Sequence, residues 1–162
     1  MKYAGLMEND FIDGEGVSVS LWTQGCPHRC EKCHNPETWD FNGGYDVPDD
    51  LRGHIIKAIS ANGITRNFSI LGGEPLCEEN LDFILNIVSS VRIAYPAIKI
   101  YIWSGYTLKE LLDRNDQKIV DILKQCNYLI DGRYEDNLKD ITLPLRGSSN
   151  QEIIKLDELK IF

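Results

Sequence analysis

Apolar and polar positions along the chain switch repeatedly between two periods. The stretch VSVSLWTQG, Val17 to Gly25, alternates small polar and apolar residues and ends in Gly, the pattern of a strand running into a loop. DVPDDLRGHIIKAISANG then sets Leu51, Ile55, Ile56 and Ile59 at helical spacing, with Pro48 near the start and Gly63 as a stop. NFSILGGEP reads as a short buried strand ending in a Gly-Gly turn, and LCEENLDFILNIVSSVRIAYP as a helix closed off before Pro96. AIKIYIWSG predicts another strand, TLKELLDRNDQKIVDILKQC one broken helix or two short ones, and NYLIDGRY a strand ending at Asp131 and Gly132.

Strands alternating with helices predict βα units, hence an α/β fold with a largely parallel sheet. Ligands on such sheets gather beyond the carboxyl ends of the strands. The loop after the first strand, GGEP, WSGYT and DGRY all fall at those ends, so one rim collects every candidate motif. The units are too few for a closed eight-stranded barrel, and a partial (β/α) barrel is expected. The chain shows no repeat, low-complexity run or linker, so residues 1–162 are expected to form one domain.

Composition narrows the partners. Charged residues make up 26% and the net charge is -8, with the Lys and Arg scattered along the chain, which argues against a nucleic-acid partner. The start, MKYAGLMENDFIDGEG, has no apolar leader, and no run approaches the length of a membrane span, so a cytoplasmic protein with no membrane partner is expected. Five cysteines, three of them clustered, suit a metal or a catalytic centre better than a disulfide framework.

The cluster is GCPHRCEKCHNPETW, with Cys26, Cys30 and Cys33 in C-x3-C-x2-C spacing. A cubane iron–sulfur cluster held by three thiolates leaves one iron open, and an amino and a carboxylate group of a small molecule can chelate that iron. Structural zinc, with His28 or His34 as fourth ligand, fits the same spacing and would make the chain an interaction module. A redox disulfide fits less well, because the thioredoxin-like context is missing. Cys77 and Cys126 sit beside apolar residues and are expected to be inert packing.

C-x3-C-x2-C after a first strand resembles the radical S-adenosylmethionine (SAM) enzymes, and LGGEP, Leu71 to Pro75, resembles that family's Gly-Gly-Glu-Pro motif. CHNPETW, Cys33 to Trp39, looks like the signature of the glycyl-radical-enzyme activating enzymes. IWSGYT and the tail LRGSSNQEII are similar to the branch that acts on anaerobic ribonucleoside-triphosphate reductase. The resemblance covers nearly the whole chain. One departure is Lys32, where many members carry an aromatic residue near the adenine.

The resemblance implies a [4Fe-4S] cluster on Cys26, Cys30 and Cys33, with SAM on the open iron. Lys32 through its backbone, Cys33 and His34 would then neighbour the cofactor. Gly72 and Gly73 would bring backbone close to SAM, and the Glu74 region would accept from its methionine amino group, through either its backbone or its carboxylate. Ser104, Asp131 and Arg133 would reach the ribose or the carboxylate, the last through paired hydrogen bonds. No general acid or base is required, and no catalytic side chain is expected. A donor such as reduced flavodoxin would supply the electron, and the 5′-deoxyadenosyl radical would take a Cα hydrogen from a glycine of the large reductase subunit. Pyruvate formate-lyase is the alternative target. LRGSSNQE would line the opening and hold an extended partner segment, while Trp22, Trp39 and Trp103 are expected mainly in the core.

Overall fold

The structure, a computed structural model, describes residues 1–159. The expected strands and helices fall where the periodicity put them: β2 (Ser18–Thr23), α1 (Leu51–Ile59), β4 (Asn67–Gly72), α2 (Leu81–Ala94), β5 (Ile100–Trp103), α3 (Leu108–Asp113), α4 (Gln117–Gln125) and β6 (Tyr128–Asp131). β1 (Lys2–Asp10), β3 (Tyr45–Asp46) and β7 (Glu152–Lys155) complete a seven-stranded sheet in the order β3-β1-β2-β4-β5-β6-β7. The four central strands are parallel, as expected. The flanks are antiparallel, β1 and β3 on one side and β7 on the other. β1 escaped the sequence pattern because most of its residues are only partly buried, so it shows no clean two-residue alternation.

Each new central strand is added on the same side of the last, and the helices pack on one another, α1 on α2 and α2 on α4. Period-2 alternation divides the sheet accordingly. Val19, Leu21, Phe68, Ile70, Ile100, Ile102 and Leu129 meet the apolar faces of the helices in one core. Ser18, Ser20, Ser69 and Tyr101 alternate with these and are fully buried. The end of β1 and the segment after it cover them: Asp10 accepts from Ser20 Oγ at 2.7 Å, and Ser69 Oγ donates to the Asp13 carbonyl.

Two arginines, Arg66 buried and Arg92 partly buried, tie elements together. Arg66 donates to the carbonyls of Ala58, Ala61 and Ile64 and so closes α1 onto β4. Arg92 donates to the carbonyls of Ile98 and Gln125 and to Asn127 Oδ1, joining α2, α4 and the starts of β5 and β6. Truncating Arg92 would orphan these acceptors. Arg92→Ala is expected to lower stability by about 2–3 kcal/mol, measured as a lower urea midpoint at an unchanged m value.

Candidate cluster and cofactor site

The loop that follows β2 is closed at its neck before it reaches the cysteines. Gly25 N–H donates to the Thr38 carbonyl at 2.7 Å and Cys26 N–H to the Trp39 carbonyl at 3.2 Å. Buried Gln24 braces the same neck by donating to the carbonyls of Glu37 and Asp40. Inside the loop, Arg29 (φ 51°) and Lys32 (φ 57°) take left-handed backbone, each immediately before a cysteine. That conformation costs a non-glycine residue on the order of 1 kcal/mol, and here it turns successive thiols back toward one side.

Cys26, Cys30 and Cys33 all line one cavity of about 420 Å³ at the carboxyl ends of the parallel strands, and all are free thiols. Among the described residues no three His, Cys, Asp or Glu side chains form a ready-made metal site, so the thiols share the cavity without converging on a point. Asn35 N–H lies 3.4 Å from Cys33 Sγ. Burial pushes the Cys26 thiol up to about 11 and the Cys30 thiol in the same direction. A thiolate there needs a cation to be stable, and metal uptake must release protons. Three thiols around one cavity with room beyond them fit an iron–sulfur cluster that keeps one iron for a ligand. Burial pushes Cys77 and Cys126 up to about 12; both are buried and away from the cavity, the inert pair expected.

GGEP forms the facing wall. Gly73 N–H donates to the Thr23 carbonyl and Glu74 N–H to the Gly25 carbonyl, so this turn abuts the neck of the cysteine loop. A Cβ at Gly73 would sit 2.5 Å from the Gly25 carbonyl oxygen, and Gly72 adopts φ +103°. Only glycine permits both. Gly72 and Gly73 line the cavity, as expected, whereas Glu74 lies behind it, fully buried. Its Oε1 accepts from Gly105 N–H (2.7 Å), Ser104 Oγ (3.1 Å) and His28 Nε2 (2.7 Å), and its Oε2 from Leu76 N–H (2.8 Å) and Ser104 Oγ (2.9 Å).

The remaining expected contacts divide. Cys33 and His34 line the cavity, His34 with its ring 4.9 Å from that of Tyr134. Ser104 lines it too, although its hydroxyl is committed to Glu74. Lys32 points outward, with Nζ 3.2 Å from Asp136. Asp131 does not line the cavity: Oδ2 accepts from Leu108 N–H at the start of α3, and Oδ1 from Glu152 N–H on β7. Arg133 grips Glu110 through two 3.1 Å hydrogen bonds and lies over the Tyr106 ring, again outside the cavity.

Asp13 carries no recognisable signal in the sequence yet lines the cavity, as do His28, Trp103, Tyr134 and Arg146, the last from the LRGSSNQE segment expected at the opening. Asp13 is pushed up to about 7 by burial and by neighbouring Asp10. Arg146 is the one Lys or Arg along the wall; among the described residues it makes no ion pair, and its buried Nε has no acceptor. Polar side chains of RGSSNQ bond within this segment and to the loop after β6. Gln151 Oε1 accepts from the amides of Gly147 and Ser148, its Nε2 donates to the Gly132 carbonyl, and Asn150 donates to the Arg133 carbonyl.

The family described as 4Fe-4S single cluster domain matches residues 12–154. The chain is 35% identical to the anaerobic ribonucleoside-triphosphate reductase-activating protein of Escherichia coli (strain K12) over 94% of its own length and 97% of that protein. It is 33% identical to the protein of that name from Pasteurella multocida (strain Pm70), over 98% and 99% of the two chains. The counterpart from Enterobacteria phage T4 is 34% identical, over 94% and 93%.

The Glu110–Arg133 pair allows a test by pH. Arg133 and the Thr107 amide hold the Glu110 carboxyl at about 2, so the pair's contribution is fully present above the usual carboxylate range and is lost as pH falls through about 2. Glu110→Gln is therefore expected to destabilise by a constant amount between pH 7 and 5, the difference fading as pH falls toward 2. Both side chains are over 40% exposed, so thermal unfolding should show a contribution below about 1 kcal/mol.

The cysteine loop, the glycine wall and matches at this length together place the chain in the family of anaerobic ribonucleoside-triphosphate reductase-activating proteins.

Proposed function

We propose that this chain activates an anaerobic class III ribonucleoside-triphosphate reductase by radical SAM chemistry, with Cys26, Cys30 and Cys33 holding a [4Fe-4S] cluster and SAM occupying the rest of the cavity. The observation that carries the reading is the shared cavity, with three thiols on one wall and the Gly72–Gly73 backbone on another. The family's name supports the target. The one-way strand order, with helices against one face, supports reading residues 1–162 as a single radical SAM domain with a partial (β/α) barrel. When bound, the cluster and SAM supply one-electron cleavage of a SAM carbon–sulfur bond and, with it, removal of a Cα hydrogen from a glycine of the reductase. A reduced flavodoxin or similar donor supplies the electron.

The chain's own residues bind and orient. Gly72 and Gly73 admit the methionine portion close to the backbone, and His34 and Tyr134 form an aromatic edge beside Cys33. Arg146 takes the carboxylate role that the sequence suggested for Arg133, since Arg133 is already held by Glu110 while the Arg146 guanidinium lies along the cavity. Leu143, Leu145 and Trp103 exclude water on the side of the tail, and Trp103 Nε1 holds that loop by donating to the Leu145 carbonyl at 2.8 Å.

The central test mixes anaerobically reconstituted protein, reductant, SAM and the reductase and looks for a glycyl radical by electron paramagnetic resonance. A signal on the reductase is expected; a signal on pyruvate formate-lyase and none on the reductase would overturn the assignment. Cys26→Ala, Cys30→Ala and Cys33→Ala should each abolish reductive SAM cleavage, while Cys77→Ala should retain it, as measured by methionine release. Arg146→Gln should weaken SAM binding by roughly tenfold, about the 1.4 kcal/mol of one charge-assisted hydrogen bond. Arg133→Gln should change SAM binding less than about twofold, within the effect of losing an exposed pair; the reverse ranking in equilibrium dialysis would return the carboxylate to Arg133.

A further inference from the structure

The cysteine loop is braced at its neck, yet the span between Cys26 and Cys30 has a second anchor that the cofactor chemistry does not require. Its side chain is His28. The ring is almost wholly buried, with 5% of the side chain exposed, and its Nε2 lies 2.7 Å from Glu74 Oε1. The amides of Gly105 and Leu76 can only donate, so the Glu74 oxygens are acceptors and His28 Nε2 is the donor. The ring edge meets Tyr106 in a T-shaped contact at 4.5 Å, and a Cβ on Gly105 would come within 2.4 Å of His28 Cδ2. The imidazole thus fills a slot between the β4 and β5 ends that exists because residue 105 lacks a side chain.

We propose that His28 is a positioning residue for the cluster. Through its hydrogen bond to Glu74 it fixes the Cys26–Cys30 span to the rigid ends of β4 and β5, and Glu74 acts as the receiver of that anchor. The inference rests on the radical SAM reading and extends it. Arg29, the next residue, holds left-handed backbone immediately before Cys30. A span strained in this way relaxes unless its neighbours over-determine it, and His28 supplies a fixed point one residue away. Glu74 is already anchored by Ser104, Gly105 and Leu76, so the bond to His28 passes from a preorganised acceptor to the loop. Groups that orient metal ligands in this way typically change metal retention by about 10–100-fold when removed.

The test uses the full chain, reconstituted anaerobically with iron and sulfide, as wild type, His28→Ala, His28→Gln and Gly105→Ala. Three readouts are followed: iron and sulfide per chain, the rate of iron loss to an excess chelator, and the change that SAM causes in the paramagnetic resonance spectrum of the reduced cluster. His28→Ala should assemble a cluster on its three thiols, lose iron at least about tenfold faster, and show a weakened or broadened SAM-induced spectral change. His28→Gln keeps an N–H donor and should recover most of both readouts. Gly105→Ala keeps the three thiols and the His28 side chain but displaces the ring from its slot, so it should reproduce the His28→Ala behaviour. Circular dichroism and thermal unfolding of each apo chain confirm that the variants fold.

Wild-type iron loss and spectrum in folded His28→Ala would overturn the proposal, as would a His28→Gln variant no better than His28→Ala. If wild-type protein itself assembles no cluster, or its cluster does not respond to SAM, the radical SAM reading falls first and the proposal falls with it. A normal wild type beside a silent His28→Ala substitution removes the positioning role alone.

Discussion

The site depends on one buried carboxylate. Glu74 has no exposure, and its two oxygens receive donors from His28, Leu76, Ser104 and Gly105. Removing a carboxylate from water costs several kcal/mol, and it is tolerated where hydrogen bonds fill the acceptor positions. The donors come from the cysteine loop, from Glu74's own turn and from the end of β5. A single charge thereby joins three segments far apart in sequence. The same residue's backbone carbonyl accepts from Asn80 Nδ2 at 2.9 Å, which extends the joint to the turn before α2.

Around this joint the sheet separates support from chemistry. Its apolar face is buried against the helices, and the carboxyl ends of its parallel strands carry most of the loops that border the cavity, the segment after β1 adding Ile12 and Asp13. The acids and bases nearest the rim mostly hold backbone. Asp131 accepts the first amide of α3 and one from β7, while Glu110 caps α3 and pairs with Arg133. Such groups keep loop ends fixed without entering the cavity, whose wall carries thiols, glycine backbone, aromatic rings, the Asp13 carboxyl and the Arg146 guanidinium, which makes no ion pair among the described residues. That surface suits a reaction whose difficult step belongs to a cofactor and whose protein supplies orientation.

Much of this was legible from the chain. Helical and strand periods located all four helices and the four parallel strands, because those elements bury a full face and so display their period. β1 was not legible, since an only partly buried flanking strand has no such constraint. Cys26, Cys30, Cys33, Gly72 and Gly73 were readable because their chemistry or their missing side chain is needed wherever they are placed. Glu74, Asp131 and Arg133 were legible as members of the rim, but not in their roles. Each carries a charge that a neighbour distant in sequence takes up. Arg146 illustrates the converse: it sits among polar turn residues in the sequence, and only the folded chain shows it as the cation along the cavity.

The sequence by itself determined which atoms are available: three thiols at fixed spacing after a strand, a glycine pair after another, and an α/β order that brings both to one rim. These follow from local geometry and from the direction of parallel strands. Tertiary structure decided which polar groups are already satisfied and which still face the cavity. A carboxylate or guanidinium looks the same in sequence whether it meets solvent, a ligand or a partner 46 residues away, as Glu74 meets His28. Satisfaction of buried polar groups is a property of the folded whole, and it commits the Glu74 carboxylate to His28, Leu76, Ser104 and Gly105.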